Sequence, residues 1–167
     1  TRPYRGMKLE DIEILHALHE WKVEADYSSA VRLLEPFVRQ LEQKEDSLAN
    51  RNKYYRPLSY LKEKLLLWEI KQQVDSVNVS DSVRPYLKKD MLGGVYCDDG
   101  RRTYYWEGNQ MINTLIAYRI IKNDPSLCKL KENMQLYILR TKERGWNTYQ
   151  ASSAVATVLT DLLAGSG

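Results

Sequence analysis

The chain has 167 residues, of which 43% are hydrophobic and 28% charged, with a formal net charge of +3. This is enough apolar material for a buried core, and too little charge for a nucleic-acid surface, because Lys and Arg are interspersed with Glu and Asp. No apolar run approaches the ~18 residues a bilayer span requires, so neither nucleic acid nor direct membrane insertion is expected.

Residues 1–6 read as an irregular lead-in. Residues 8–25 read as a helix, with Ile14, Leu18, Trp21 and Ala25 on one stripe at helical spacing. A second helix spans 28–48, with Val31, Leu34, Val38, Leu41 and Leu48 on its apolar face. Pro36 lies inside that pattern. It has no N–H for the carbonyl of Arg32, which predicts a kink or an interruption. Residues 50–56 form a polar connection. Pro57 suits the first turn of a third helix that runs to about residue 74, with Leu58, Leu61, Leu65 and Trp68 on one stripe, widened by Leu66, Leu67 and Ile70. After a break at 75–80, a short helix limited by Pro85 is expected within 81–89.

Residues 91–105 carry the clearest non-helical signal: Gly93-Gly94, then Asp98-Asp99-Gly100, then Thr103-Tyr104-Tyr105-Trp106. Residues of strand type on both sides of Asp-Asp-Gly predict a small hairpin. As the longest irregular stretch, it is the first place to look for a binding surface.

Three helices close the chain. From 109 to 121 the helix is apolar on several sides, and 108–118 contain no charge, which predicts burial all round. Asp124-Pro125 then supplies an N-cap with Pro at the first helical position. The helix that follows, to about 144, sets Leu127, Leu130, Met134, Tyr137 and Ile138 against Lys129, Lys131, Glu132, Arg140, Lys142 and Glu143, as an outer helix would. Gly145 ends it. The last helix, 148–163, has the stripe Ala151, Ala154, Val155, Val158, Leu159, Leu162 and Leu163. Its opposite face holds Ser152, Ser153, Thr157 and Thr160, with no charged residue between 145 and 160. Small hydroxyls in place of Lys and Glu predict a face that packs closely or lines an interior. Buried, charged, uncharged is the alternation of an inner and an outer helical ring. Two Trp-x-x-x-Gln elements, at Trp106–Gln110 and Trp146–Gln150, begin 40 residues apart, which suits two helices per repeat.

The stretch Tyr-Tyr-Trp-Glu-Gly-Asn-Gln-Met-Ile-Asn-Thr-Leu-Ile-Ala-Tyr from Tyr104, followed after a charged helix by Arg-Gly-Trp-Asn-Thr-Tyr-Gln-Ala-Ser-Ser-Ala, resembles the α/α-toroid domain of alpha-macroglobulin-like proteins of bacterial type. Gly145, Trp146 and Thr148 match the family's Gly-Trp-x-Thr turn. Asn113, Thr114, Ala117 and Tyr118 resemble the Thr-Ala-Tyr segment of the preceding inner helix. The match covers about a third of the chain; residues 1–90 agree in helix spacing only. The resemblance implies an all-α fold, an α/α toroid of helical hairpins with one short loop or hairpin insertion near 91–106. Residues 1–167 would form a single helical domain, the C-terminal half of a larger ring. It further implies an extracytoplasmic setting in the periplasm or cell envelope and a role in protease trapping. The partners would be neighbouring domains of the same polypeptide and a protease, and the isolated chain would self-associate.

The departure from the family is as informative. Thioester-bearing members use Cys-x-Glu-Gln. Here Cys97 precedes Asp98, Asp99 and Gly100, and Cys128 precedes Lys129, Leu130 and Lys131. The chain is therefore read as non-catalytic, without a cofactor. The two cysteines make no Cys-x-x-Cys pair, and two free thiols are the plain reading.

The residues grouped as a candidate binding rim are Asp98, Asp99, Tyr104, Tyr105, Trp106, Gln110, Trp146 and Gln150. Each has a structural reading beside the functional one. The tryptophans would plug the junctions between hairpins. Gln150 lies three residues after Asn147, at capping-box spacing. Asp98 and Asp99 suit a turn beside Gly100 better than an acid/base pair. His16 and His19 fall on neighbouring turns, but no further ligand stands at zinc spacing, so no metal is expected. Two other readings use the same helices: a toroid enzyme of lyase or cyclase type, and a tetratricopeptide-like interaction scaffold. The first needs charged groups converging on a cavity, and the second a repeat near 34 residues.

Overall fold

A computed structural model describes residues 6–103, 109–141 and 149–165. The chain divides into two compact units, Thr1–Val79 and Ser80–Gly167. Helices dominate both, with one two-stranded sheet among the described residues, in accord with the all-α class expected from sequence. No helix among the described residues is long and apolar enough to cross a membrane.

The first unit consists of α1 (Glu10–Glu20), α2 (Tyr27–Arg51) and α3 (Leu61–Asp75). Helix α3 packs against both others. Its Leu65, Leu66 and Leu67 are consecutive and all buried, which only a helix covered on more than one side can achieve. Helix α1 is shorter than its apolar pattern suggests. The amide of Val23 bonds to the carbonyl of Leu18 and that of Lys22 to His19, closing a Schellman-type turn with Lys22 at φ 59°. Trp21 and Ala25 therefore fall outside the helix. The buried face is Ile12 and His16, whereas Ile14 and Trp21 are exposed. The predicted stripe of Ile14, Leu18, Trp21 and Ala25 is thus replaced by one two residues earlier that carries a polar side chain.

Helix α2 begins at its Asp26 cap, whose carboxylate accepts from the Ser29 amide at 3.1 Å and the Ser29 hydroxyl at 2.6 Å. These bonds hold the Asp26 carboxyl below the usual carboxylate range. The helix then runs on through Pro36, so of the expected kink or interruption the interruption does not occur. Helix α3 starts four residues later than Pro57 suggests. The buried carboxylate of Glu45 accepts from the Leu58 amide at 2.6 Å and from the Tyr55 hydroxyl at 2.8 Å, pinning this segment to α2 in a non-helical form. The Ser59 hydroxyl then accepts from the Leu61 amide at 3.2 Å as the helix opens.

The second unit contains α4 (Ser80–Val83), a 3-10 turn (Arg84–Tyr86), β1 (Leu87–Lys89), β2 (Val95–Cys97), α5 (Asn109–Ile121), α6 (Cys128–Arg140) and α7 (Tyr149–Gly165). The strands are antiparallel, with Leu87 opposite Cys97 and Lys89 opposite Val95. The hairpin turn is therefore 90–94, upstream of the Asp-Asp-Gly stretch expected to form it. Asp90 explains the choice. Its Oδ1 accepts from the amides of Leu92 at 2.9 Å and Gly94 at 2.8 Å, and its Oδ2 from Arg140 of α6 at 3.1 Å. Burial works against the Asp90 carboxylate, but these donors together keep its carboxyl below the usual range. A Cβ on Gly94 would stand 2.9 Å from Asp90 and 3.1 Å from Tyr137, so only glycine lets the turn sit against α6.

Helix α5 is buried along nearly its whole length: Ala117, Tyr118, Ile120 and Ile121 are inaccessible, and Thr114 with them. Helices α6 and α7, strand β2 and α4 all pack on it. Helix α6 buries Met134 and Ile138 and exposes Lys129 and Glu132, as an outer helix should. Asp124 caps the turn before it, accepting from the amide and hydroxyl of Ser126 ahead of a short 3-10 segment, Pro125–Leu127. Helix α7 buries Ala154, Val155 and Val158.

Pro36 gives a direct test of the α2 geometry. It is exposed and leaves the Arg32 carbonyl without its helical donor. Proline costs about 3 kcal/mol relative to alanine inside a helix, less up to about 1 kcal/mol for the stiffer unfolded chain. Pro36→Ala should therefore stabilise the first unit by about 2 kcal/mol, read as a rise of several degrees in the thermal midpoint. An unchanged or lower midpoint would mean that the backbone at Pro36 is already relaxed.

Candidate functional site

Among the proposed rim residues, Asp98, Asp99 and Gln110 fall within the described residues. Tyr104, Tyr105, Trp106 and Trp146 lie outside them. So do Asn147 and the side chain of Gln150, whose backbone opens the first turn of α7. The Asp99 carboxylate accepts from the Arg101 amide at 3.0 Å, and Gly100 follows at φ 72°. That is an Asx turn, the structural role foreseen for this stretch. Gln110 donates to the Tyr137 hydroxyl at 2.9 Å, and the Tyr137 ring stacks on Tyr96 of β2 at 5.3 Å. These contacts fasten α6 to α5 and the hairpin. Cys97 is buried and Cys128 exposed, and neither is part of a disulfide.

The segment around Thr114 and Tyr118 of α5 is a structural hub. The Thr114 hydroxyl donates to the Gln110 carbonyl at 2.6 Å and accepts from the Cys97 amide at 2.9 Å, joining β2 to α5. Tyr118, also inaccessible, donates from its hydroxyl to Asp161 Oδ2 at 2.7 Å and accepts from the Gln135 amide at 3.0 Å. Lys122 completes the group, with Nζ 3.1 Å from Asp161 Oδ2. One phenol thus links α5, α6 and α7, beside an open groove lined by Lys122, Lys131, Glu132 and Leu162. Sequence reasoning did not single out Asp161 or Gln135. The available signal was that Asp161 is the first charge after the uncharged run of α7, one turn from its end.

Chemically the Tyr118 group is a tie, not a base. Burial pushes the phenol up to about 12. The Gln135 amide opposes this, and the hydrogen bond to Asp161 and that carboxylate's charge add to it. A tyrosine so shifted stays protonated and donates.

The second constellation lies in the first unit. His16, on the buried face of α1, has a carboxylate at each ring nitrogen. Nε2 stands 2.5 Å from Glu69 Oε1 of α3, and Nδ1 stands 3.7 Å from Glu20 Oε1, one turn along α1. The side chain of Glu69 is buried and that of Glu20 half exposed. His19 turns elsewhere, its ring meeting Tyr27 edge-on at 4.9 Å. The sequence placed His16 and His19 together. The fold separates them and supplies Glu69 from 53 residues away, a partner that no local spacing could reveal.

The raised phenol of Tyr118 has a pH signature. Its folded value lies above its ordinary 10, so the protonated form is favoured by folding. The associated stability is complete below pH 10 and is lost as pH climbs through about 12. Tyr118→Phe should cost about 1 kcal/mol at neutral pH by denaturant unfolding. The gap between wild type and variant should then narrow between pH 10 and 12. A gap that stays constant over that range would show that the hydroxyl is not held as a donor.

Comparison with known protein families, with curated proteins and with solved structures finds no match to this chain.

Proposed function

We propose that this chain is a non-catalytic helical packing domain of an extracytoplasmic alpha-macroglobulin-like protein, part of an α/α toroid that contributes to protease trapping by holding neighbouring domains in place. The family, the toroid, the cell-envelope setting and the protease come from the resemblance at residues 104–163. The observation that supports a packing role is the outward face of α7. Leu159 and Leu162 are 42% exposed and Leu163 74% exposed, on a helix with no charge before Asp161. The hydroxyls beside them are turned inward on their own backbone: Thr157 donates to the Ser153 carbonyl at 2.9 Å and Thr160 to the Ala156 carbonyl at 2.8 Å. Such a face has little to offer water and is suited to being covered. The paired state of Tyr118, Gln135, Lys122 and Asp161 supports the same reading, since their hydrogen-bonding capacity is directed at one another.

The test uses the full polypeptide that carries this segment, incubated with an endopeptidase. Trapping predicts that the protease co-migrates with it on size exclusion and loses activity on a large protein substrate while still cleaving a small peptide. The double variant Leu159→Asp/Leu163→Asp should keep its helical circular dichroism and lose that retention. A protease that elutes free and fully active on both substrates would reject the trapping role. Full retention by the double variant would reject the packing role of α7.

A further inference from the structure

We infer that His16 and Glu20 form a binding site for a divalent first-row cation of the zinc type, with Glu69 as the carboxylate that orients the imidazole. The argument begins with the proton on the ring. Glu69 Oε1 is 2.5 Å from Nε2, so the hydrogen of a neutral imidazole sits on Nε2 and is donated to that buried carboxylate. Nδ1 then carries the lone pair. It faces Glu20 Oε1 at 3.7 Å, too far for a hydrogen bond and with electron density on both sides. Two such donors repel unless a proton or a metal ion stands between them.

The spacing suits one. With zinc–nitrogen and zinc–oxygen bonds of about 2.0–2.1 Å, donors 3.7 Å apart subtend about 125–135° at the ion. A tetrahedral ion would draw them in to about 3.4 Å, a movement a half-exposed glutamate makes freely. His16 and Glu20 are one helical turn apart, so the same stretch of backbone holds both. The carboxylate, the histidine and the ion then lie in line, the arrangement by which proteins fix the tautomer of a metal-bound histidine and raise its basicity. His16, Glu20 and Glu69 are the group among the described residues whose donor atoms all lie within 4.8 Å of one another. Glu13 is engaged by Lys62 at 2.5 Å, and the His19 ring packs on Tyr27. The solvent exposure of Glu20 lets water complete the coordination sphere.

The experiment is calorimetric titration of the metal-stripped 167-residue protein with zinc chloride. Nitrogen-15 NMR of the histidine rings runs in parallel, with magnesium as the control ion. The expected result is one saturable zinc site, a large shift of the His16 Nδ1 resonance, and no response to magnesium. Glu20→Gln, at a half-exposed position that leaves the fold intact by circular dichroism, should weaken zinc at least tenfold. Glu69→Gln should weaken it about 10–100-fold while the site still saturates at one ion. His16→Ala should abolish the site; because that residue is buried, Glu20→Gln decides the matter if His16→Ala fails to fold. Zinc bound equally well by Glu20→Gln, or no saturable binding by the wild type up to about 1 mM, overturns the assignment.

Discussion

The enclosed face of a helix cannot turn a polar side chain to water, and each unit of this protein is built around a helix with a broad enclosed face, α3 in the first and α5 in the second. A buried polar group left without a partner costs about 1–3 kcal/mol, and an ionised one more. The polar residues of α3 and α5 therefore determine what must stand opposite them. Glu69 of α3 requires the imidazole of His16, which sets the face that α1 turns inward. Tyr118 of α5 requires Asp161 and Gln135, which fixes the register of α7 and α6 on it. Thr114 collects the Cys97 amide and so places the end of the hairpin. Apolar burial drives the assembly of these helices, but it tolerates sliding and rotation; the hydrogen bonds select one arrangement.

The same contrast explains what could be read from the sequence. The helical regions, the enclosure of α5, the charged exterior of α6 and the Asp124 cap follow from local pattern, because hydrophobic period and capping chemistry act within a few residues. Among the features that did not follow, three have a long-range reason. The inward face of α1 depends on Glu69, 53 residues away, and a pattern that scores only apolar residues passes over a histidine in the core. The start of α3 depends on Glu45, which draws the Leu58 amide out of the helix that Pro57 would have opened. The hairpin turn depends on Arg140, which reinforces Asp90 and leaves Asp98-Asp99-Gly100 to a separate turn after β2. Pro36 is a different case. The rule that proline breaks helices is about local energy, and a 25-residue amphipathic helix packed along α3 outweighs it.

Of the candidate rim, Asp99 and Gln110 were legible as residues with a task, but the task is local fastening. A sequence shows which side chains can hydrogen-bond; it does not show whether they find a partner inside the fold. Asp161, Gln135, Glu45 and Glu69, which cross between elements, are side chains that sequence spacing did not single out.

The two functional readings draw on opposite kinds of surface. The α7 face is uncharged, with its hydroxyls folded back on the backbone, and its chemistry is that of contact between solids. The edge of α1 is polar and donor-rich, with one imidazole nitrogen committed to a buried carboxylate and the other facing an exposed one. A packing domain and a cation site are compatible, because an ion bound between His16 and Glu20 would strengthen the hold of α1 on α3 without using any residue of α7. Metal occupancy would then act on the stability of the first unit through the Glu69 bond, since polarising the imidazole makes its Nε2 hydrogen a stronger donor. The ion's effect on the protein would be mechanical: it would tighten the same polar contact that already determines which side of α1 faces inward.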